Sequence, residues 1–187
     1  MRARTGMIGM GLFLLAGCGS DAAAVPPPPA PPPVVTALPA SVAGGACVLL
    51  DYAVIEETTG TRFTVAAAME HQKTRTCVVQ DEAASRPDLV LSLTATGADQ
   101  GVFTSEMVPK GATTVKELGK GAYRSTTAPA GDDGAAAEVG WLTGEGRLVT
   151  LRYTFPVGPE RSAADELAPK LVELARQVAP KVADFPK

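Results

Sequence analysis

Residues 137–155, AEVGWLTGEGRLVTLRYTF, contain two apolar runs joined by Gly144-Glu145-Gly146. In the second run every other residue is large and apolar: Val149, Leu151, Tyr153 and Phe155. A period of two is typical of a strand that buries one face, and a short connection containing glycine is typical of a hairpin. The stretch therefore predicts a β-hairpin and, with it, an antiparallel sheet.

Further strands are expected upstream of the hairpin. Residues 88–95 (DLVLSLTA) alternate in the same way, and residues 63–66 and 76–79 are two short apolar runs separated by polar residues. Another strand is expected near Tyr123. Residues 97–115 show no clear period, and for them we expect a loop with a helical turn near 102–107.

Two helices are expected at the ends of the domain. Asp51 is a suitable N-cap for a short helix that ends at Gly60. The second helix is indicated by apolar residues that recur at spacings of 4, 3 and 4: Leu167, Leu171, Leu174 and Val178. Ser162 and Asp165 resemble a capping box for it. Pro169 then lies inside the helix, which either bends there or begins there.

These elements predict an α+β domain over residues 46–184. We expect an antiparallel sheet of about five strands, an N-terminal and a C-terminal helix packed on one face, and one disulfide. About 140 residues are enough to bury roughly two thirds of the unfolded surface.

The N-terminus indicates export. Arg2 and Arg4 precede a ten-residue apolar run (7–16), which ends at Leu15-Ala16-Gly17-Cys18. This is the pattern of a secretory signal peptide over residues 1–17, and its end is similar to the lipobox of bacterial lipoproteins. That similarity implies cleavage before Cys18 and diacylglycerol on its thiol. The alternative is a plain signal peptide. Ten apolar residues are too few to span a bilayer, which needs about 20.

Residues 18–45 are expected to form a disordered tether. Its centre is the run 26–33 (PPPPAPPP), in which proline fixes φ and removes backbone donors. Such a run favours extended polyproline II and acts as a semi-rigid spacer. A proline-motif ligand for a partner is the alternative interpretation.

Cys47 and Cys77 remain once Cys18 is assigned to lipid. An even pair in an oxidising compartment is the usual setting for a disulfide, with a reduced buried pair as the alternative. The two cysteines and His71, the single histidine, supply at most three zinc ligands at a spacing unlike known zinc modules. We therefore expect no metal site.

No motif for catalysis or cofactor binding is found. The nucleophile elbow G-x-S-x-G is absent, and Gly119-Lys120-Gly121 lacks the flanking residues of a phosphate-binding loop. Asp132-Asp133 lacks the alternating ligands of a calcium loop. The formal net charge of −3 argues against nucleic acid as a partner. We expect no cofactor, no catalytic residue and no nucleic acid.

Three residues are weighed as candidate contacts. Trp141 and Tyr123 are large aromatics of the sheet, which belong more often to a core; if they face outward, they are the best candidates for contact with a ligand or partner. His71 lies in the polar run 70–73 and is interpreted as a solvated turn residue. A pH-sensing role is its alternative.

Several segments resemble a family of actinobacterial envelope lipoproteins of unknown function. The resemblance is carried by the lipobox, the proline-rich linker and five segments: 47–51 (CVLLD), 59–60 (TG), 77–78 (CV), 115–123 (VKELGKGAY) and 171–175 (LVELA). The chain is more distantly similar to extracytoplasmic sensor domains of receptor serine/threonine kinases. The resemblance implies an envelope location and no assigned activity.

Together these features predict a lipoprotein anchored at Cys18 to the outer side of the cell membrane. Its domain is expected to bind, without catalysis, an envelope protein, a wall component or a small apolar ligand. A lipid or glycolipid carrier is the alternative, which needs a sizeable apolar cavity. A hydrolase of envelope polymers is disfavoured by the single histidine.

Overall fold

Seven strands form one antiparallel sheet in the computed structural model, which describes residues 38–186. The strands are β1 (Val65–His71), β2 (Thr74–Asp81), β3 (Ala84–Ala95), β4 (Thr113–Val115), β5 (Gly121–Thr127), β6 (Ala136–Leu142) and β7 (Arg147–Thr154). Their order across the sheet is β1-β2-β3-β7-β6-β5-β4. The α+β class is confirmed, whereas the expected count of about five strands is wrong.

The predicted hairpin is confirmed as β6 and β7, near the middle of the sheet. Its turn is closed by a hydrogen bond from the Thr143 N–H to the Arg147 carbonyl, at 2.9 Å. Gly146 has a φ of 77°, a backbone conformation that residues other than glycine rarely adopt. This explains the glycine at this position of the turn. The alternating residues Val149, Leu151 and Tyr153 are all buried.

The strand that composition does not predict is β4. Its three residues, Thr-Thr-Val, lie inside the segment expected to be a loop, and they are too few to show a period. They pair with β5, so tertiary pairing rather than local pattern makes them a strand. The helical turn expected near 102–107 is present, as α2 (Gln100–Val102) followed by a π-helical turn at Phe103–Met107.

The N-terminal helix, α1 (Tyr52–Thr59), begins and ends where the sequence predicts. The Asp51 carboxylate accepts hydrogen bonds from the N–H groups of Ala53 and Val54, at 2.8 and 3.4 Å. Gly60 has a φ of 76° and closes the C-terminal end.

The C-terminal helix, α3 (Arg161–Ala183), runs without interruption past Pro169 and Pro180. A start at Pro169 is therefore excluded. The capping box is also not formed, because Glu160 is the N-cap and its side chain makes no capping bond. A proline inside a helix costs about 3 kcal/mol. Burial of the predicted apolar stripe against β5, β6 and β7 offsets this cost. Within residues 38–186 no helix has the length and apolar composition to cross a membrane.

Residues 40–49 form two 3-10 helices, at Ala40–Ala43 and Gly45–Leu49. The first belongs to the segment assigned to the tether, yet Ala40 is buried. The ordered fold therefore begins before residue 46. This pair of helices contacts β1 and β2 and is fixed to β2 by the disulfide between Cys47 and Cys77.

The two faces of the sheet differ in character. The face beneath α3 carries the main core, which includes Cys77, Leu91, Val139 and Leu151. On the other face a smaller apolar cluster, formed by Phe103, Tyr123 and Leu142, is covered by the segment after β3. The remainder of that second face is polar, with paired hydroxyl groups such as Thr74 and Thr94, whose Oγ1 atoms are 2.9 Å apart.

Candidate functional site

Of the predicted special residues, Cys18 lies outside the described residues. The disulfide between Cys47 and Cys77 is confirmed, with Cα atoms 4.9 Å apart and a sequence separation of 30 residues.

Trp141 and Tyr123 are both buried, so the condition under which they were candidate contacts, an outward-facing ring, is not met. Trp141 is 1% exposed and packs in the core beneath α3. Tyr123 lies on the opposite face, where its ring contacts the backbone of Gly140; a Cβ atom there would come within 2.5 Å of the ring. Its hydroxyl donates to Glu138 Oε1 at 2.7 Å, and burial together with Glu138 raises the pKa of Tyr123. Both aromatics therefore have structural roles.

His71 and the aspartate pair do not form a site. His71 is exposed at the end of β1, beside the turn, as the solvated interpretation predicts. Asp133 forms an ion pair with Arg86 at 3.1 Å. Among residues 38–186, no three or more His, Cys, Asp or Glu side chains are placed to hold one metal ion.

The feature that sequence reasoning missed is a polar groove between the β4–β5 edge of the sheet and α3, here called the arginine groove. It consists of two adjoining hollows of about 190 and 270 Å³, which share Thr113 and Arg124. Four cationic side chains line it (Lys116, Arg124, Arg161 and Arg176), against two carboxylates (Asp165 and Glu173). The groove is therefore positive on a chain whose net charge is −3.

At one end of the groove, Arg161 is held by its neighbours. Its Nε lies 3.8 Å from Asp165 Oδ1 and donates to the Thr126 hydroxyl at 3.2 Å. The Thr126 hydroxyl in turn donates to Asp165, at 2.5 Å. These bonds fix the N-terminal turn of α3 to β5 and leave this end of the groove close to neutral.

At the other end, Arg176 is held in a similar way. Its Nη1 donates to Glu173 at 2.7 Å, and its Nη2 donates to the Lys116 carbonyl at 3.3 Å. The Arg176 charge is thus balanced within α3, while the Lys116 ammonium is exposed at the rim.

Arg124 lies between these two pairs, and no carboxylate among residues 38–186 forms an ion pair with it. It is opposite Val139 in the register of β5 and β6, so its side chain is on the helix-covered face, at the margin of the core. It is half-buried, and it makes no hydrogen bond or ion pair with any residue in 38–186. A guanidinium presents five donors in a planar fork that matches carboxylate and phosphate oxygens. Arg124 is therefore the group in this groove best able to bind an anion.

A second groove, of about 260 Å³, lies at the far end of the same face and has an apolar floor of Leu93, Ala95 and Phe185. Its arginines are occupied by the C-terminal end of α3 and the segment that follows it. Arg147 donates to the carbonyls of Val182 and Phe185, both at 2.6 Å, and Arg75 donates to the Pro186 carbonyl at 2.6 Å. These bonds dock that segment on the sheet, which makes this groove a structural feature.

Asp88 is the most buried carboxylate among the described residues. Burial raises its pKa, while Arg86, 2.9 Å away, and the nearby Thr154 hydroxyl lower it. Its Oδ1 makes no hydrogen bond of good geometry to any residue in 38–186. Asp88 belongs to the network that joins Arg86 and Asp133 and holds the 130–133 turn against β3.

One sequence signal marks the arginine groove. Along β5, Ala122, Arg124 and Thr126 share one face, so Arg124 occupies a position in phase with a buried alanine. An arginine in core register is unusual, because a buried charge needs a partner. That signal depends on knowing which face of β5 is covered, which the sequence did not establish.

No family model, no curated protein and no solved structure matches the chain. Its function is therefore inferred from the geometry of the groove.

Proposed function

We propose that the chain is an extracytoplasmic lipoprotein, anchored at Cys18, whose domain binds an anionic ligand in the arginine groove without catalysing a reaction. The observation that supports ligand binding is the position of Arg124. Arg124 is half-buried, has no hydrogen-bond or ion-pair partner among residues 38–186, and lies between two arginines that are already paired.

The energetics favour an anion at this position. A half-buried charge has lost part of its hydration. A bound carboxylate or phosphate group replaces the lost water contacts with charge-assisted hydrogen bonds. The hydroxyl group of Thr113, which is opposite Arg124 in the register of β4 and β5, is on the same face and offers a further donor. Since the flanking arginines are held by acids of α3, a ligand needs little rearrangement of the groove.

The size of the groove favours a small acidic group over an acyl chain. Hollows of about 190 and 270 Å³ are below the roughly 300 Å³ at which pockets for drug-sized ligands begin. Their lining is mostly polar and charged, whereas a lipid carrier needs an enclosed apolar cavity. These features favour a binding module for an acidic group, presented on a polymer or a protein, over a carrier.

Binding is tested by titrating the ¹⁵N-labelled full-length protein with inorganic phosphate and, separately, with succinate. We expect shifts of the Arg124 Nε–H and of the Thr113 and Ser125 amides. Arg124→Met is expected to weaken binding about 10- to 100-fold, because hydrogen bonds to a charged group contribute about 1.5–3 kcal/mol. Added salt should weaken binding of the parent protein as well.

Arg62→Met is the matched control. Arg62 is exposed, lies between α1 and β1, and does not line the groove. The Arg62→Met substitution removes the same charge from the chain as Arg124→Met. Equal losses of anion affinity in both variants would therefore mean that binding depends on net charge alone. That result, or no response to either anion, contradicts the proposal.

The anchor is tested independently of the ligand. Cys18→Ala in the full-length chain is expected to move the protein from the membrane fraction to the aqueous fraction, because acyl chains bind membranes in proportion to their buried CH₂ groups. Ser20→Ala, two residues away, should leave the partition unchanged. If Cys18→Ala protein stays with membranes as the parent does, the anchor is not on this thiol.

A further inference from the structure

At one edge of the sheet, β1 has no neighbouring strand on its outer side among residues 38–186. β1 is seven residues long, and all of its residues except Ala66 are exposed. It contains no lysine or proline, which natural edge strands commonly use to prevent pairing. The opposite edge, β4, has only three residues and is followed by Glu117 at a φ of 60°. Of the two edges, only β1 is long and regular enough to pair with another strand.

The register identifies the backbone groups that point away from the sheet. The Lys73 carbonyl accepts a hydrogen bond from the Ala95 N–H, so the backbone groups of Lys73 point toward β3. The backbone groups of the next residue, Thr74, therefore point toward β1, where they bond to those of its partner His71. Backbone groups alternate in direction along a strand. The outward groups of β1 therefore belong to Ala66, Ala68 and Glu70, and none of them bonds to another residue in 38–186.

We propose that β1 pairs antiparallel with β1 of a second copy of this chain, about a twofold axis that passes midway between the two copies of Ala68. Only this register pairs all seven residues and places outward groups opposite outward groups. Ala68 is then opposite its own copy, and Glu70 is opposite Ala66. Moving the axis to Glu70 places two glutamates directly opposite each other, which destabilises a strand pair.

The side chains around β1 favour a second copy as the occupant. Met69 is 62% exposed, and in this register it packs against Ala67 of the other copy. Residues 40–49, which contact β1, expose Val42 and Val48 at 64% and 47%. A twofold axis perpendicular to the sheet places these segments from both copies on the same side of the joined sheet. An extended peptide paired with β1 brings no such matching apolar segment.

Cross-linking tests the register in the full-length chain. With Ala68→Cys, the two thiols lie on directly opposed residues, whose Cα atoms are about 5.5 Å apart in a hydrogen-bonded pair and within disulfide range. We expect a covalent dimer on a non-reducing gel. Ala83→Cys, exposed in the turn between β2 and β3, is the control and should give about tenfold less dimer, since its thiols are held apart.

Ala68→Pro tests the pairing itself. The Ala68 N–H points outward, so proline costs the sheet of one copy no hydrogen bond, and edge strands tolerate proline at such positions. By symmetry two intermolecular bonds are lost, and self-association measured by sedimentation should weaken about 30-fold. Unchanged melting of the variant shows that the fold is retained. If the variant does not fold, the cross-linking result decides.

Two outcomes overturn the proposal. One is a parent protein that remains monomeric at all concentrations, with or without a bound peptide. The other is a dimer that persists in Ala68→Pro and gives no cross-link through Ala68→Cys, which would place the contact elsewhere. Neither outcome bears on anion binding, because β1 and the arginine groove lie at opposite edges of the sheet.

Discussion

Replacing Cys47 and Cys77 together by alanine is expected to lower the free energy of unfolding by about 3–4 kcal/mol. The disulfide closes a loop of 30 residues, and its loss lets the unfolded chain gain the corresponding entropy. For a domain of this size the melting temperature should fall by about 10 °C. The double variant is used because a single variant leaves a free thiol that can pair elsewhere.

The loss should also be local. Cys47 belongs to a 3-10 helix, a form with few and weak hydrogen bonds, and the disulfide is its covalent link to β2. We expect hydrogen exchange to accelerate first in residues 40–49, while β6 and β7 remain protected. Reduction of the parent protein should produce the same change. A melting temperature within 2 °C of the parent's would mean that packing alone holds this segment.

The elements predicted from sequence are those whose signals are local. The Asp51 cap, Gly60 and the hairpin of β6 and β7 each depend on residues within a few positions of one another. The disulfide is the exception, because the loop it closes spans 30 residues. It was predictable since only two cysteines remain once Cys18 is assigned, which leaves a single possible pairing.

The elements not predicted depend on packing. β4 is a strand because β5 lies beside it, and α3 continues through Pro169 because its apolar stripe is buried on both sides of that residue. Ser162 does not cap α3 because the helix begins one residue earlier, at Arg161. In each case tertiary contacts outweigh a local preference of about 1–3 kcal/mol.

The candidate site was not predictable for a related reason. Arg161 and Arg176 are ordinary in their own segment, and Arg124 is unusual only once the covered face of β5 is known. The three come together only when α3 crosses the end of β5. The aromatic residues chosen instead, Trp141 and Tyr123, are buried in the main core and in the smaller cluster on the other face, in a chain with only 5% aromatic residues. Composition therefore identified the core residues, while the groove is defined by contacts between distant segments.

Arg147→Met is expected to lower the free energy of unfolding by about 3–4 kcal/mol, an effect similar to loss of the disulfide. Arg147 is 6% exposed and begins β7 in phase with the buried residues Val149 and Leu151. Its guanidinium donates to the carbonyls of Val182 and Phe185 at 2.6 Å. These are charge-assisted bonds, each contributing about 1.5–3 kcal/mol, and the charge also favours the C-terminal end of a helix dipole.

Arg147→Lys and Arg62→Met distinguish loss of the Arg147 hydrogen bonds from loss of a positive charge. Lysine keeps the charge but cannot reproduce the planar fork, so we expect it to restore about half of the loss. The exposed Arg62→Met should change stability by less than about 0.5 kcal/mol. Denaturant unfolding gives these values, and hydrogen exchange in the last turn of α3 reports whether the segment after it has detached. If Arg147→Met costs no more than Arg62→Met, the helix end is held by its apolar contacts, and the two carbonyls are satisfied by water.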